Sequence, residues 1–191
     1  MHSLSDLLFV REKHVCPWYF CFTFDNVFRK LVQNPKKILS NYIKPGFHIL
    51  DIGPGQGYFS IPMAEMAGPK GEIIAVDIQE KMLEHLKKKA QKYHVNDRIK
   101  CKIVKDANYS FDSEFDFALA FWMIHEVPDK KSLFNSVFRA LKPGKLFLVA
   151  EPHVHVTTKM FKKTREIAES TGFKVIDRPK IFFSNSVLLE K

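Results

Sequence analysis

From Lys44 onward, short apolar runs alternate with segments whose apolar residues recur every three to four positions. Residues 47–52 (FHILDI) form an apolar run ending at glycines, which predicts a buried strand. Residues 58–67 read as a helix closed by Gly68-Pro69, and 72–77 (EIIAVD) as a second buried strand. Over 79–93, Met82, Leu83, Leu86, Ala90 and Tyr93 fall on one helical face. Residues 99–105 alternate Ile99, Cys101 and Ile103 with basic residues, as a strand nearer a sheet edge does. Residues 115–121 form the fourth strand. Asp129 is a candidate N-cap for a helix carrying Leu133, Phe134, Val137 and Leu141, which Lys142-Pro143-Gly144 ends. Residues 145–150 (KLFLVA) are strand five, 157–171 a helix stopped by Gly172, and 173–176 and 181–189 two final strands.

This order predicts an α/β fold with a doubly wound, mostly parallel seven-stranded sheet. The turn Asp177-Arg178-Pro179-Lys180 is too short for a crossover, so the last strand should run antiparallel to its neighbour. Residues 1–44 differ in character. They hold Phe9, Trp18, Tyr19, Phe20, Phe22, Phe24 and Phe28, then a helix start at Asn34-Pro35. The chain therefore divides into an aromatic cap or lid with a helix, 1–44, and an α/β domain, 45–191.

Composition adds limits. A length of 191 residues suits one main domain, and 46% hydrophobic with 27% charged residues excludes wholesale disorder. No apolar run approaches the ~18 residues needed to span a bilayer. The first eleven residues lack the basic and apolar regions of a secretory signal. Cys16, Cys21 and Cys101 are an odd number at irregular spacing, which fits reduced thiols and a cytoplasmic location. The net charge of +9 suggests a nucleic-acid partner, but its distribution argues otherwise. Residues 46–79 carry one Lys and four acids, and 106–127 carry five acids with no Lys or Arg. Residues 80–105 carry nine basic residues and three acids, without the interleaved aromatics of a nucleic-acid platform.

The first strand runs into Asp51-Ile52-Gly53-Pro54-Gly55-Gln56-Gly57 and then a helix. Open α/β sheets bind ligands at the carboxyl ends of their strands, and glycines there admit close backbone approach. The dinucleotide fingerprint needs Gly at 58, where Tyr58 stands, and no Gly-Lys-Ser/Thr follows for a P-loop. Asp51 sits badly beside a pyrophosphate and well beside a cation. Asp77 ends the second strand, where a carboxylate accepts both ribose hydroxyls. Asp106 ends the third, placed to accept from an adenine amino group. An adenosine with a positively charged tail, such as S-adenosylmethionine, matches this acidic rim. The plainer alternative for each Asp is a cap on the following helix.

Residues 49–127 resemble the core of the class I S-adenosylmethionine-dependent methyltransferases. Asp51-x-Gly53-x-Gly55-x-Gly57, Ala75-Val76-Asp77-Ile78, Lys105-Asp106-Ala107 and Leu141-Lys142-Pro143-Gly144-Lys145-Leu146 match that family's motifs in order. The likeness covers about 45–191 and is nearest in detail to the small-molecule enzymes of ubiquinone and menaquinone biosynthesis. It implies the Rossmann-like methyltransferase fold and S-adenosylmethionine as cofactor. It implies further that Gly53 and Gly55, with Pro54 and Gly57 in the same loop, back the methionine part. Asp77 would take the ribose diol, Ile78 pack on adenine, Asp106 and Ala107 meet the amino edge, and Phe121 lie near the methyl.

Methyl transfer from a sulfonium is a direct displacement, so a base is needed only where the acceptor must lose a proton. Candidates follow strands four and five: His125-Glu126 and Glu151-Pro152-His153-Val154-His155. His125 is the candidate base, and a hydrogen-bonded structural histidine is its alternative. His153 and His155 would share one side of a strand. With His125 or Cys16 they could ligate a metal, yet no CxxC or HxxxH spacing supports this and no metal is expected. Tyr19 and Phe20 are the lid residues expected nearest the cofactor. Strand four lacks an Asn/Asp-Pro-Pro-Tyr, a Pro-Cys or a carboxylate cluster after it. The expected function is methyl transfer to a small-molecule acceptor. The rivals are an RNA or other nucleic-acid methyltransferase, a non-catalytic nucleotide-binding module and an NAD-dependent reductase. Oligomeric state is not legible.

Overall fold

The structure is a computed structural model that describes residues 32–104, 109–111 and 114–191. Its elements are α1 (Pro35–Leu39), β1 (His48–Ile52), α2 (Ser60–Ala67), β2 (Glu72–Asp77), α3 (Glu80–Lys92) and β3 (Ile99–Ile103). These are followed by β4 (Phe115–Phe121), a single 3₁₀ turn (Ile124–Glu126), α4 (Lys130–Ala140), β5 (Leu141–Pro152), α5 (Thr158–Ser170), β6 (Lys174–Asp177) and β7 (Ser184–Glu190).

Side-chain caps open three helices: Asn34 and Asp129, where the sequence places helix starts, and Thr157, which the sequence places inside its helix. Asn34 accepts from the Lys37 N–H, Asp129 from Ser132 and Thr157 from Met160. In α3, Met82, Leu83, Leu86 and Ala90 are buried on one face. Glu80 lies in its first turn and Lys89 and Lys92 in its last, matching the helix dipole. Tyr93, expected on that face, instead ends the helix and is exposed, because the helical repeat stops at Lys92.

The seven strands lie in the order β3-β2-β1-β4-β5-β7-β6. Pairings among the first five are parallel, and β7 runs antiparallel to both β5 and β6. The strand order reverses beside β1, which opens a crevice between the carboxyl ends of β1 and β4. Helices cover both faces. Leu39 of α1, Met63 of α2 and Leu86 of α3 share one core with Ile49, Ile73, Phe117 and Leu148. Phe134 of α4 and Phe161 of α5 share the other with Leu50, Ile74, Ala118 and Phe147. The period of two along each strand thus sends alternate residues to α1–α3 and to α4–α5.

Several boundaries differ from the sequence reading. The helix α4 ends at Ala140, and strand pairing resumes at once, Leu141 opposite Phe115. Phe117 next pairs with Leu146, so Lys142-Pro143-Gly144 bulges out of the ladder, with Gly144 at φ +70°. The last strand begins at Ser184 rather than Ile181. Phe183 has φ +61°, and Ile181 makes only an isolated bridge to Ser184. The helix expected from Tyr58 begins at Ser60, because residues 54–57 form a turn closed by Gly57 N–H on the Pro54 carbonyl (3.0 Å).

Candidate functional site

Gly53, Gly55 and Gly57 all have positive φ, +66°, +55° and +85°, so the chain turns sharply off β1. The Gly53 N–H bonds the Val76 carbonyl (2.8 Å), tying the loop to the end of β2. A Cβ on Gly53 would lie 2.9 Å from the Met123 side chain, while one on Gly55 would meet nothing within 4 Å. The loop is therefore packed against the β4 tip at Gly53 and open at Gly55. At Gly57 a Cβ would strike the fully buried side chain of Leu86 of α3. Gly57→Ala combines that collision with left-handed strain, so we expect a loss of about 2 kcal/mol. In a chain of this size that lowers the thermal midpoint by roughly 4–8 °C, measurable by calorimetry.

Asp51 and Asp77 both fall on the face of the sheet covered by α1–α3, as their registers require. Asp51 is 2% exposed, and its Oδ2 accepts from the Ser60 hydroxyl at 2.6 Å. Burial pushes its pKa up to about 7, against the lowering effect of Ser60 and with a further push from the Asp77 charge. Asp77 is 9% exposed and accepts from the Gln79 N–H at 2.9 Å. Burial raises it to about 6, although the backbone N–H groups of Gln79, Gly55 and Ile78 oppose the shift. Asp77 thus binds its own turn and the glycine loop rather than capping α3, whose N-cap is Gln79 with no side-chain cap bond. Gln56 in the loop has a buried Nε2 with no hydrogen-bond partner among the described residues. Two under-compensated carboxylates, an unpartnered donor and an open Gly55 converge at one end of the crevice.

A second centre lies at the carboxyl ends of β4 and β5, on the face covered by α4 and α5. Glu151 is 1% exposed. Its Oε1 accepts from the Ile124 N–H (2.8 Å) and its Oε2 from the His125 N–H (3.2 Å). The His125 ring places Nδ1 at 2.6 Å from the same Oε2. Burial by itself lowers His125, but the hydrogen bond and charge of Glu151, with the charge of Glu126, outweigh it and raise its pKa above the ordinary value. The carboxylate also selects the tautomer with the proton on Nδ1, which leaves Nε2 as the acceptor. Nearby, Trp122 is held at φ +62° by its N–H on the Ala150 carbonyl (2.7 Å) and its indole N–H on the Ser184 hydroxyl (2.8 Å). A bulky residue in the left-handed region at a strand tip is strain maintained by its surroundings.

The expected site residues are thus distributed as follows. Asp51, Gly53, Pro54, Gly55, Gly57 and Asp77 share the β1–β2 rim, and Ile78 beside them is exposed. Phe121 ends β4 but is buried, its ring 4.2 Å from Phe59. Tyr19, Phe20, Cys16, Asp106 and Ala107 lie outside the described residues. His153 and His155 lie in a turn after β5, not on a strand. His153 is exposed, and the ring of His155 stacks on His125 at 5.8 Å between centroids. Among the described residues, no group of three or more His, Cys, Asp or Glu gathers as metal ligands. No described helix is long and apolar enough to cross a membrane. The orienting role of Glu151 was not legible from spacing. Its one signal was an acid continuing a buried apolar strand.

A family model described as a methyltransferase domain matches residues 43–178. The chain is 30% identical over 115 residues to a demethylmenaquinone methyltransferase of Symbiobacterium thermophilum, covering 60% of this chain and 46% of the relative. It is 31% identical over 110 residues to the ubiquinone/menaquinone biosynthesis C-methyltransferase UbiE of Pasteurella multocida, covering 57% and 41%. The match thus spans less than half the length of these curated relatives. Among solved structures, a SAM-dependent methyltransferase from Aquifex aeolicus superposes with a TM-score of 0.79 at 20% identity, over 92% of this chain and 98% of the other.

Proposed function

We propose, from the premise that this chain belongs to the methyltransferase domain family, that it transfers a methyl group from S-adenosylmethionine to a small-molecule acceptor. The observation that carries this is the pairing of Asp51 and Asp77, buried with raised pKa values, beside a glycine loop open at Gly55. Such carboxylates lower the energy of the site once a cation arrives. An unpartnered Gln56 amide adds a donor for a polar ligand. These residues fit the group that the family implies.

When bound, S-adenosylmethionine supplies a methyl already activated on a positive sulfur. The chain's part is then to orient, to exclude water and to manage one proton. In this reading Asp77 and the Gly53–Gly57 loop hold the nucleoside, and Asp51 meets positive charge on its tail. Asp106, Ala107 and Ile78 complete the adenine side, Phe121 backs the methyl end, and Tyr19 and Phe20 close the lid. The named relatives support a quinol-type aromatic acceptor methylated at carbon. A ring hydroxyl of that acceptor must give up a proton to make the carbon nucleophilic, and His125 Nε2 takes it while Glu151 holds the ring.

Incubation with methyl-labelled donor and a panel of demethylated quinols, catechols and RNA tests this. We expect label in a quinol or another small aromatic and none in RNA. Saturable NAD binding without any response to S-adenosylhomocysteine would overturn it.

A further inference from the structure

Beyond β5, the carboxyl rim continues along the start of β7 into a groove that neither centre above uses. It lies between α5 and the β6–β7 connection and encloses about 680 Å³. Five cations line it: Lys159, Lys162 and Arg165 from α5, and Arg178 and Lys180 from the connection. None of its lining residues is an Asp or Glu. The acids on the same helix compensate little: Lys162 meets Glu166 at 3.7 Å with both side chains more than half exposed. Arg165 Nε is buried and 3.5 Å from Glu169, without a hydrogen-bond partner among the described residues. The start of the 13-residue helix α5, at Thr158 and Lys159, adds the positive end of its dipole.

Like charges crowded into a concavity repel one another, and an anion relieves that cost. The curvature and the donor set, guanidinium forks beside ammonium groups, match phosphate oxygens. The place is also informative. In register, Ser184 pairs with Pro152 and Asn185 with Glu151, so the groove floor is one strand spacing, about 4.8 Å, from the strand carrying Glu151. The Ser184 hydroxyl accepts the Trp122 indole N–H at the β4 tip. Phe182 and Phe183, both half exposed, immediately precede β7 in the chain.

We propose that this groove binds a phosphate or diphosphate group, on a soluble molecule or on a lipid headgroup, next to the candidate acceptor site. The groove's own residues carry this inference, and the test below does not depend on the donor site. The full chain is titrated with inorganic diphosphate by calorimetry at 0.15 M salt. In parallel it is floated with vesicles of phosphatidylglycerol in phosphatidylcholine. The variants are Arg178→Glu with Lys180→Glu, and the milder Arg178→Gln with Lys180→Gln, each first shown to melt cooperatively like the wild type.

Saturable diphosphate binding that falls at least tenfold in both variants supports a soluble ligand. Flotation lost in both variants, without diphosphate binding, supports a headgroup. Absence of both, or binding equal in wild type and variants, overturns the proposal. So does preferential binding of a single-stranded RNA that the same variants abolish, since the groove would then follow a nucleic-acid backbone.

Discussion

Asp51→Asn is expected to stabilise the free protein at pH 8 while weakening its hold on S-adenosylmethionine by roughly tenfold to a hundredfold. The two effects have one origin. A carboxyl whose folded pKa is about 7 lies well above its unfolded value near 3.9, so the native state keeps the proton longer than the unfolded chain does. Its contribution to stability is full below about pH 4 and is lost as pH rises through about 7. Above that, the ionised group costs the fold on the order of 2–4 kcal/mol. Asparagine removes the charge and still accepts from Ser60, whose hydroxyl lies 2.6 Å away. Denaturant titrations from pH 4 to 8 should show wild-type stability falling with pH and a flatter profile in the variant, with a remainder from Asp77. Calorimetric titration then gives the affinity loss. A variant that is less stable at pH 8 and binds as tightly as the wild type would contradict this account.

Loss of the histidine ring at the β4 tip should be the most damaging change to turnover. His125→Ala is expected to reduce methyl transfer by about 10²–10⁴-fold and leave S-adenosylhomocysteine binding within a factor of two or three. The separation follows from placement. His125 and Glu151 sit on the α4–α5 side of the rim, whereas Asp51 and Asp77 sit on the α1–α3 side. A base must be neutral to act, so the rate should rise with pH through a midpoint above the usual histidine value, because the carboxylates raise His125. Glu151→Gln should lower that midpoint and reduce the rate as well, since one amide oxygen cannot replace two carboxylate acceptors at Ile124 and His125. A structural histidine would respond differently. Its removal would depress the melting temperature, and the surviving activity would keep the wild-type pH profile.

How much of this was legible in the chain depends on the range of the forces involved. The strands and helices were readable because burial on a two-faced sheet imposes local patterns: EIIAVD and FDFALAF cannot be anything but buried strands once turns bound them. Asn34 and Asp129 were readable at their helix starts because capping acts over three residues, whereas Thr157, read as part of its helix, instead caps it from outside. The acidic rim was readable because Asp77 ends β2 and Asp51 stands one residue before the end of β1. Their coupling was not, since it arises only when β1 and β2 pair. The Glu151–His125 pair is 26 residues apart in sequence and is made by the parallel pairing of β4 with β5. The basic groove escaped notice for a related reason. Its cations come from α5 and from the β6–β7 turn, and in sequence each group looks like ordinary solvated surface. The start of β7 was misplaced because residues 181–183 are as apolar as a strand, and only the positive φ at Phe183 shows that they turn.

Positive charge on an adenosine ligand is expected to be received by the two buried acids at the β1–β2 rim. Titration calorimetry with S-adenosylmethionine at pH 6.5, in two buffers of different ionisation enthalpy, tests it most directly. Binding should expel about half a proton to one proton per molecule, because Asp51 is largely protonated there and must ionise to meet the cation. Asp51→Asn should remove most of that release. Binding with no proton released, or no binding at all, would contradict the account.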